Sequence, residues 1–155
     1  MLKMTADEFI LRLLPEAFIF IFAAYAFSKT RINKSKYLLS SFLLGLSVFI
    51  IRMLPINYGV HTILNIIMLA VISYAINKID LTEAIKVSII TAICLFLLEG
   101  LNMLLLTTIF GNKLDSILSN IILKTVSGLP SLIGFGLIVI CYYNYLKKRK
   151  KLRDV

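Results

Sequence analysis

The chain has 155 residues, of which 59% are hydrophobic, and it carries a formal net charge of +9. Its mean hydropathy of +0.92 argues against a water-soluble domain, because a domain of this size cannot bury that much apolar surface. A bilayer accepts such a chain, since membrane-crossing helices satisfy their own backbone groups and expose apolar side chains to lipid.

Five apolar stretches predict an all-α, polytopic membrane helix bundle, with residues 1–155 forming a single transmembrane domain. The first predicted span covers residues 9–27, and Arg12 and Glu16 interrupt its N-terminal part. The second span covers residues 37–54 and is followed by a segment with the composition of a turn. The third span covers residues 60–76.

Two further spans follow in the second half of the chain. The fourth covers residues 87–110, which is long enough to cross a bilayer with some tilt. After it, apolar residues between Leu114 and Ile122 repeat at helical spacing opposite a polar face, which predicts a short amphipathic helix before the last span. The fifth span covers residues 126–145, and residues 146–155 form a basic tail.

The distribution of Lys and Arg predicts how the bundle is oriented. With five crossings, one side of the membrane receives the loop at residues 29–36, the link at 77–86 and the tail, and so twelve of the 17 basic residues. Because cytoplasmic loops are enriched in Lys and Arg, we expect a multi-pass protein of the cell membrane with its N-terminus outside and its C-terminus in the cytoplasm. A four-span arrangement would weaken this bias.

The basic tail has two interpretations. Most such runs set the topology and contact anionic lipid head groups. Alternatively, the fifth span continues as a helix into the cytoplasm and leads to an output domain or a partner. Because these charges flank apolar spans, we do not expect them to bind nucleic acid.

Residues that carry chemistry in soluble enzymes are scarce. There is one histidine, His61, and the two cysteines, Cys94 and Cys141, lie within apolar stretches. That placement is typical of small buried side chains and not of a disulfide framework or a metal site. The sequence contains no Gly-rich phosphate loop and no nucleophile elbow, so we expect no enzyme activity, no cofactor and no metal.

Polar residues within the spans are the strongest functional candidates, because each is costly in a bilayer unless it has a partner. Their distances from the span ends place seven of them in the outer half of the membrane or near its middle. This predicted outer polar cluster consists of Arg12, Glu16, Arg52, His61, Asn65, Glu99 and Asn102. In a structural interpretation, favoured for any buried charge, these side chains pair and fix helix packing. In a functional interpretation they line a ligand-binding cavity or a proton-sensitive switch, with Glu99 as the leading residue.

Part of this pattern is similar to a known family over roughly the middle third of the chain. In that family an Arg-x-Leu-Pro turn leads to a Gly-x-His-Thr sequence that opens a helix, and a glutamate lies in the following helix. The matching residues here are Arg52, Leu54, Pro55, Gly59, His61, Thr62 and Glu99. The chain thus resembles the membrane-embedded N-terminal sensing region of sporulation-type and quorum-sensing-type histidine kinases of Gram-positive bacteria.

The resemblance implies a signalling role without a kinase activity. Such kinases continue into a dimerisation helix with a phosphorylated histidine and an ATP-binding domain, which this sequence lacks. We therefore expect a sensor or receptor-like module without its own catalytic domain, and as partners the lipid bilayer, a cytoplasmic or membrane signalling protein, or a second copy in a homodimer. The alternative is a small transporter component or substrate-binding subunit that needs a partner, in which Glu99 couples substrate or protons.

Overall fold

A computed structural model describes residues 13–54, 58–111 and 121–153 of the chain. These residues form five helices, which are α1 (Leu14–Phe27), α2 (Lys34–Met53), α3 (Tyr58–Ala75), α4 (Leu81–Phe110) and α5 (Ile121–Lys148). Within the described ranges the only extended pairing is an isolated bridge between Thr30 and Arg153. The predicted all-α class is therefore confirmed.

Three of the described helices are long and apolar enough to cross a membrane. They are α2, α4 and the part of α5 from Val126 to Lys148. The apolar helices α1 (Leu14–Phe27) and Gly59–Ala75 of α3 are shorter. At 1.5 Å per residue, α1 is about 21 Å long, which is less than the roughly 30 Å of a hydrocarbon core. The structure thus fits a membrane protein, with three helices of spanning length.

Helix boundaries differ most from the predicted spans at the starts of α4 and α5. Helix α4 begins at Leu81, six residues before the predicted start of the fourth span, because its polar first turns are helical although they lie outside the apolar stretch. The predicted amphipathic helix falls largely on residues 112–120, which lie outside the described ranges. Its last predicted residues, from Ile121 onward, belong to α5.

Helix α1 is the centre of the bundle and packs against each of the other four helices. One cluster joins Ile21 and Tyr25 to Leu44 of α2 and Leu69 of α3. On other faces, alanines of α1 meet α4 and α5. The α1 side chains that are at most 3% exposed are Ala17, Ile21, Ala23, Ala24, Tyr25 and Ala26. The small alanine side chains let the neighbouring helices approach α1 closely.

The outside of the bundle is apolar. The most exposed large side chains belong to α4, where Phe96 is 76%, Ile109 70% and Leu104 66% exposed. In water, exposing these side chains would forgo the favourable free energy of burying apolar surface, whereas lipid solvates them. The exposed apolar surface therefore agrees with the membrane association that the composition predicts.

The two ends of the bundle differ in charge. The basic end, as we call it, consists of the loop at residues 28–33, the loop at 76–80 and the tail at 149–153. The hydroxyl of Tyr25 donates a 2.9 Å hydrogen bond to Asn77 Oδ1, and the Thr30–Arg153 bridge joins the first loop to the tail. The opposite end, where α1 begins and α2 ends, holds Glu16 and Arg52.

Candidate functional site

An ion pair between Glu16 and Arg52 is the best-defined part of the predicted outer polar cluster. Glu16 lies in the first turn of α1 and Arg52 in the last turn of α2, and the two helices pack side by side. Arg52 Nη2 lies 3.5 Å from Glu16 Oε2, with the side chains 27% and 13% exposed. Each charge also suits its helix end, since an acid is favourable near an N-terminus and a base near a C-terminus.

Four other predicted cluster residues lie on α3 and α4, and three of them are partly buried or hydrogen-bonded. His61, in the first turns of α3, and Asn65, one turn further on, are both partly buried. The Oδ1 atom of Asn65 is shielded from solvent and accepts no hydrogen bond within the described part of the chain. Asn102 Nδ2 donates a 2.7 Å hydrogen bond to the backbone oxygen of Ser127, which ties α4 to α5.

Glu99 is the remaining cluster residue within the described ranges. The structure places the Glu99 side chain on the exposed surface of α4, on the same helix as the strongly exposed Phe96. Arg12 lies outside the described residues, so its place in the predicted cluster stays a prediction. Within the described ranges, the structure therefore brings Glu16 and Arg52 together and does not bury Glu99 with them.

Buried hydroxyl and amide groups in the interior were not singled out by the sequence. Ser40, Ser73 and Ser88 are fully buried, and Asn77 is 1% exposed. Serine and threonine in an apolar helix can bond their own backbone, as Ser88 Oγ does to the Ala84 oxygen at 2.7 Å, so their presence alone carries little signal. The Tyr25–Asn77 bond, which spans 52 residues of sequence, has no local signature.

A second feature absent from the sequence predictions lies at the basic end. The Arg31 amide donates to the Arg153 oxygen at 2.8 Å, and the Arg153 amide donates to the Lys29 oxygen at 2.7 Å. We call this pairing of residues 29–31 with residue 153 the tail–loop clamp. The described tail therefore turns back onto the first loop, and α5 ends at Lys148 without continuing away from the bundle.

Two lysines with a left-handed backbone conformation direct the chain toward the clamp. Lys29 has φ 56° and Lys150 has φ 51°. The amide of the residue after each lysine bonds back to the helix, from Thr30 to the Tyr25 oxygen at 3.0 Å and from Lys151 to the Leu146 oxygen at 3.1 Å. This is the hydrogen-bond pattern of a Schellman motif, in which glycine is the usual left-handed residue. Because lysine stands where glycine is usual, the sequence carries no signal that the helix ends there.

Comparison of the chain with models of protein families, with curated protein sequences and with solved structures gives no match. The resemblance to kinase sensing regions therefore stays a prediction.

Proposed function

We propose that the chain is a receptor-like signalling module of the cell membrane that acts through a partner protein. In this proposal the bundle crosses the bilayer five times, with its N-terminus outside and its C-terminus in the cytoplasm. The Glu16–Arg52 ion pair then faces the outside of the cell, and the tail–loop clamp faces the cytoplasm.

The observation that carries the proposal is the position of α1. Glu16, in the first turn of this helix, pairs with Arg52 at 3.5 Å, and the helix ends two residues before the clamp residue Lys29. Between the two ends its side chains form the centre of the core and touch every other described helix. One buried helix thus joins a charged site at one end to a hydrogen-bonded tail at the other.

This arrangement supports signal transfer for a physical reason. A close-packed core does not deform continuously, so a shift of α1 has to change contacts at both of its ends. A ligand or a charge that alters the Glu16–Arg52 pair would displace the start of α1. The Tyr25–Asn77 bond and the clamp would respond at the other end, and the tail would change what it presents to a partner.

The transporter alternative has less support. It assigns substrate or proton coupling to Glu99, and coupling groups in transporters line an enclosed path near the middle of the membrane. Glu99 lies on the exposed surface of α4. By contrast, Arg52, which belongs to the kinase-like sequence pattern, takes part in the ion pair, and this favours a sensor.

The proposal requires that the two ends be energetically coupled, which a disulfide reporter can measure. In a chain with Cys94→Ala and Cys141→Ala, we would introduce Thr30→Cys and Arg153→Cys. Paired residues on neighbouring strands lie about 5 Å apart, within the range that a disulfide bridges. The rate of disulfide formation then reports how often the clamp is closed.

Breaking the ion pair with Glu16→Gln should slow disulfide formation by about fivefold, the lower end of typical coupling between sites. The matched control is Glu83→Gln, which removes a carboxylate from the exposed 3.3 Å pair with Lys86 and should leave the rate unchanged. Exchanging the charges, with Glu16→Arg and Arg52→Glu together, should restore it. Equal rates for Glu16→Gln and Glu83→Gln, in chains of equal helix content, would show that the ends are not coupled.

A further inference from the structure

A small cavity lies at the basic end, beside the tail–loop clamp. Its volume is about 230 Å³, and its lining residues are Arg31, Ile32, Tyr143, Lys147, Lys150 and Leu152. Three of these six side chains are cationic. The other three supply a phenol and two aliphatic side chains.

The segments that form this cavity carry charge of one sign only. Residues 28–36 and 146–153 contain ten Lys and Arg and no Asp or Glu. Backbone hydrogen bonds of 2.8 and 2.7 Å nevertheless hold the two segments together. Like charges at close range repel, so an anion bound between the segments would stabilise this arrangement.

Local geometry decides which cations line the cavity. Lys147 follows Tyr143 by four residues, so both side chains lie on one face of α5. The left-handed Lys150, with φ 51°, turns the chain back over the same face. Arg149 points elsewhere, since its guanidinium stacks 4.8 Å from the centre of the Tyr145 ring. The amide of Ile32 donates to Tyr143 Oη at 3.4 Å and joins the two walls.

We propose that this cavity binds the phosphate group of an anionic phospholipid or of a soluble phosphate ester. Ammonium and guanidinium groups form strong, charge-assisted hydrogen bonds with phosphate. The volume is below the roughly 300–1,000 Å³ of sites for drug-sized ligands, so a phosphate with its nearest substituent fits and a nucleotide does not. Ile32 and Leu152 offer an apolar wall for that substituent. The site does not depend on the signalling proposal.

The test uses the full chain in maltoside micelles, which contain no phosphate. Phosphatidylglycerol, phosphatidylcholine and glycerol 3-phosphate are added in separate titrations, and the thermal midpoint is followed by helical circular dichroism. Native mass spectrometry counts the bound lipids. The pocket variant is Lys147→Gln with Lys150→Gln, and the matched control is Lys148→Gln with Lys151→Gln. Both remove two charges from the tail, and glutamine at position 150 keeps the same backbone constraint as lysine.

Phosphatidylglycerol should raise the midpoint of the unmodified chain in a saturable way, as ligands of the folded state do. The pocket variant should bind about thirtyfold more weakly, because each lysine beside an anionic head group contributes about fivefold. The control should lose less than about threefold, since it changes only the screened long-range field. Stabilisation by glycerol 3-phosphate as well would show that the cavity recognises phosphate itself, and its absence would assign the site to lipid.

Three results would overturn the proposal. The first is an equal loss of affinity in the two double variants, which would indicate diffuse attraction without a site. The second is an unmodified chain whose midpoint neither phosphatidylglycerol nor glycerol 3-phosphate raises. The third is a phosphatidylcholine effect as large as that of phosphatidylglycerol, which would indicate a general lipid effect.

Discussion

Single residues in the core differ in what their polar groups bind. Ser88 Oγ bonds the Ala84 oxygen and Ser40 Oγ bonds the Tyr37 oxygen, so each is satisfied within its own helix. The bond from Tyr25 to Asn77 instead joins α1 to the loop after α3, with both residues 1% exposed. A local bond leaves the helix free to pack in many ways, whereas the Tyr25–Asn77 bond favours one position of α1.

Replacing Tyr25 with phenylalanine should therefore destabilise the bundle. The variant leaves the Asn77 carbonyl buried without its donor, which costs about 1–2 kcal/mol. The free energy of unfolding can be measured by titration with dodecyl sulfate in mixed micelles. Tyr143→Phe is the matched control, because it removes a longer, 3.4 Å bond that is only partly buried and should cost less than half as much. Equal losses would mean that the Tyr25 hydroxyl has no special role in the packing.

Partner choice also limits what the sequence reveals about single residues. Polar residues in apolar stretches were recognisable, and Glu16 and Arg52 do meet. Spacing alone could not decide whether Arg52 pairs with Glu16 or with Glu99, or whether Glu16 pairs with Arg12 instead. The choice depends on which helices are neighbours. For Glu99, position along the helix was readable from the sequence, but the face it occupies depends on how α4 rotates against α3 and α5.

At the scale of helices, the sequence predicted which parts of the described ranges are helical better than it predicted where each helix ends. Hydropathy marks where side chains are apolar, and a helix can extend beyond that region when polar residues continue it. This explains why α4 starts at Leu81 and includes Glu83 and Lys86. Similarly, the left-handed residue just beyond α5 is Lys150, whereas a glycine there would have marked the helix end in the sequence.

The packing of α1 on α2 gives a prediction at this scale. A Cβ atom added at Gly45 of α2 would lie 3.5 Å from Leu14 Cδ2 and 3.6 Å from Ala17 Cβ, which are ordinary contact distances. Gly45→Ala should therefore gain helix propensity, worth about 0.5–1 kcal/mol, plus new contacts with α1. Unfolding in mixed micelles would measure the gain.

Gly100→Ala on α4 is the control for this gain. Nothing lies within 4 Å of a Cβ atom added there, so the variant reports helix propensity alone. Gly45→Ala should stabilise the bundle at least as much as Gly100→Ala. If Gly45→Ala instead destabilises it, the two helices pack more tightly than the structure indicates.

In the whole molecule, the positively charged end coincides with the C-terminal ends of three helices. Helices α1, α3 and α5 all end at the basic end, and a lysine in the left-handed conformation lies just beyond each of them, at positions 29, 78 and 150. Cations near helix C-termini are stabilising, so the lysines that suggest a topology also complete the helices. The central position of α1 and the tail–loop clamp were not predictable, because both depend on contacts between segments distant in sequence.

The proposed topology makes a last prediction, about the short helix α3. The orientation requires the chain to cross the bilayer once between Leu54 and Asp80 and twice more before Lys151. Of these three crossings the weakest is α3, because its apolar part, Gly59–Ala75, is shorter than the helices of spanning length. Single cysteines at these three exposed positions, in the chain with Cys94→Ala and Cys141→Ala, can be probed with an impermeant maleimide on intact cells.

Leu54→Cys should react on intact cells, whereas Asp80→Cys and Lys151→Cys should react only after the membrane is made permeable. Reaction of Leu54→Cys and Asp80→Cys from the same side would mean that α3 does not cross. The Glu16–Arg52 pair and the tail–loop clamp could then not face opposite compartments through the crossings proposed. Because a membrane receptor must connect two compartments, that single result would remove the physical basis of the signalling proposal while leaving the phosphate site intact.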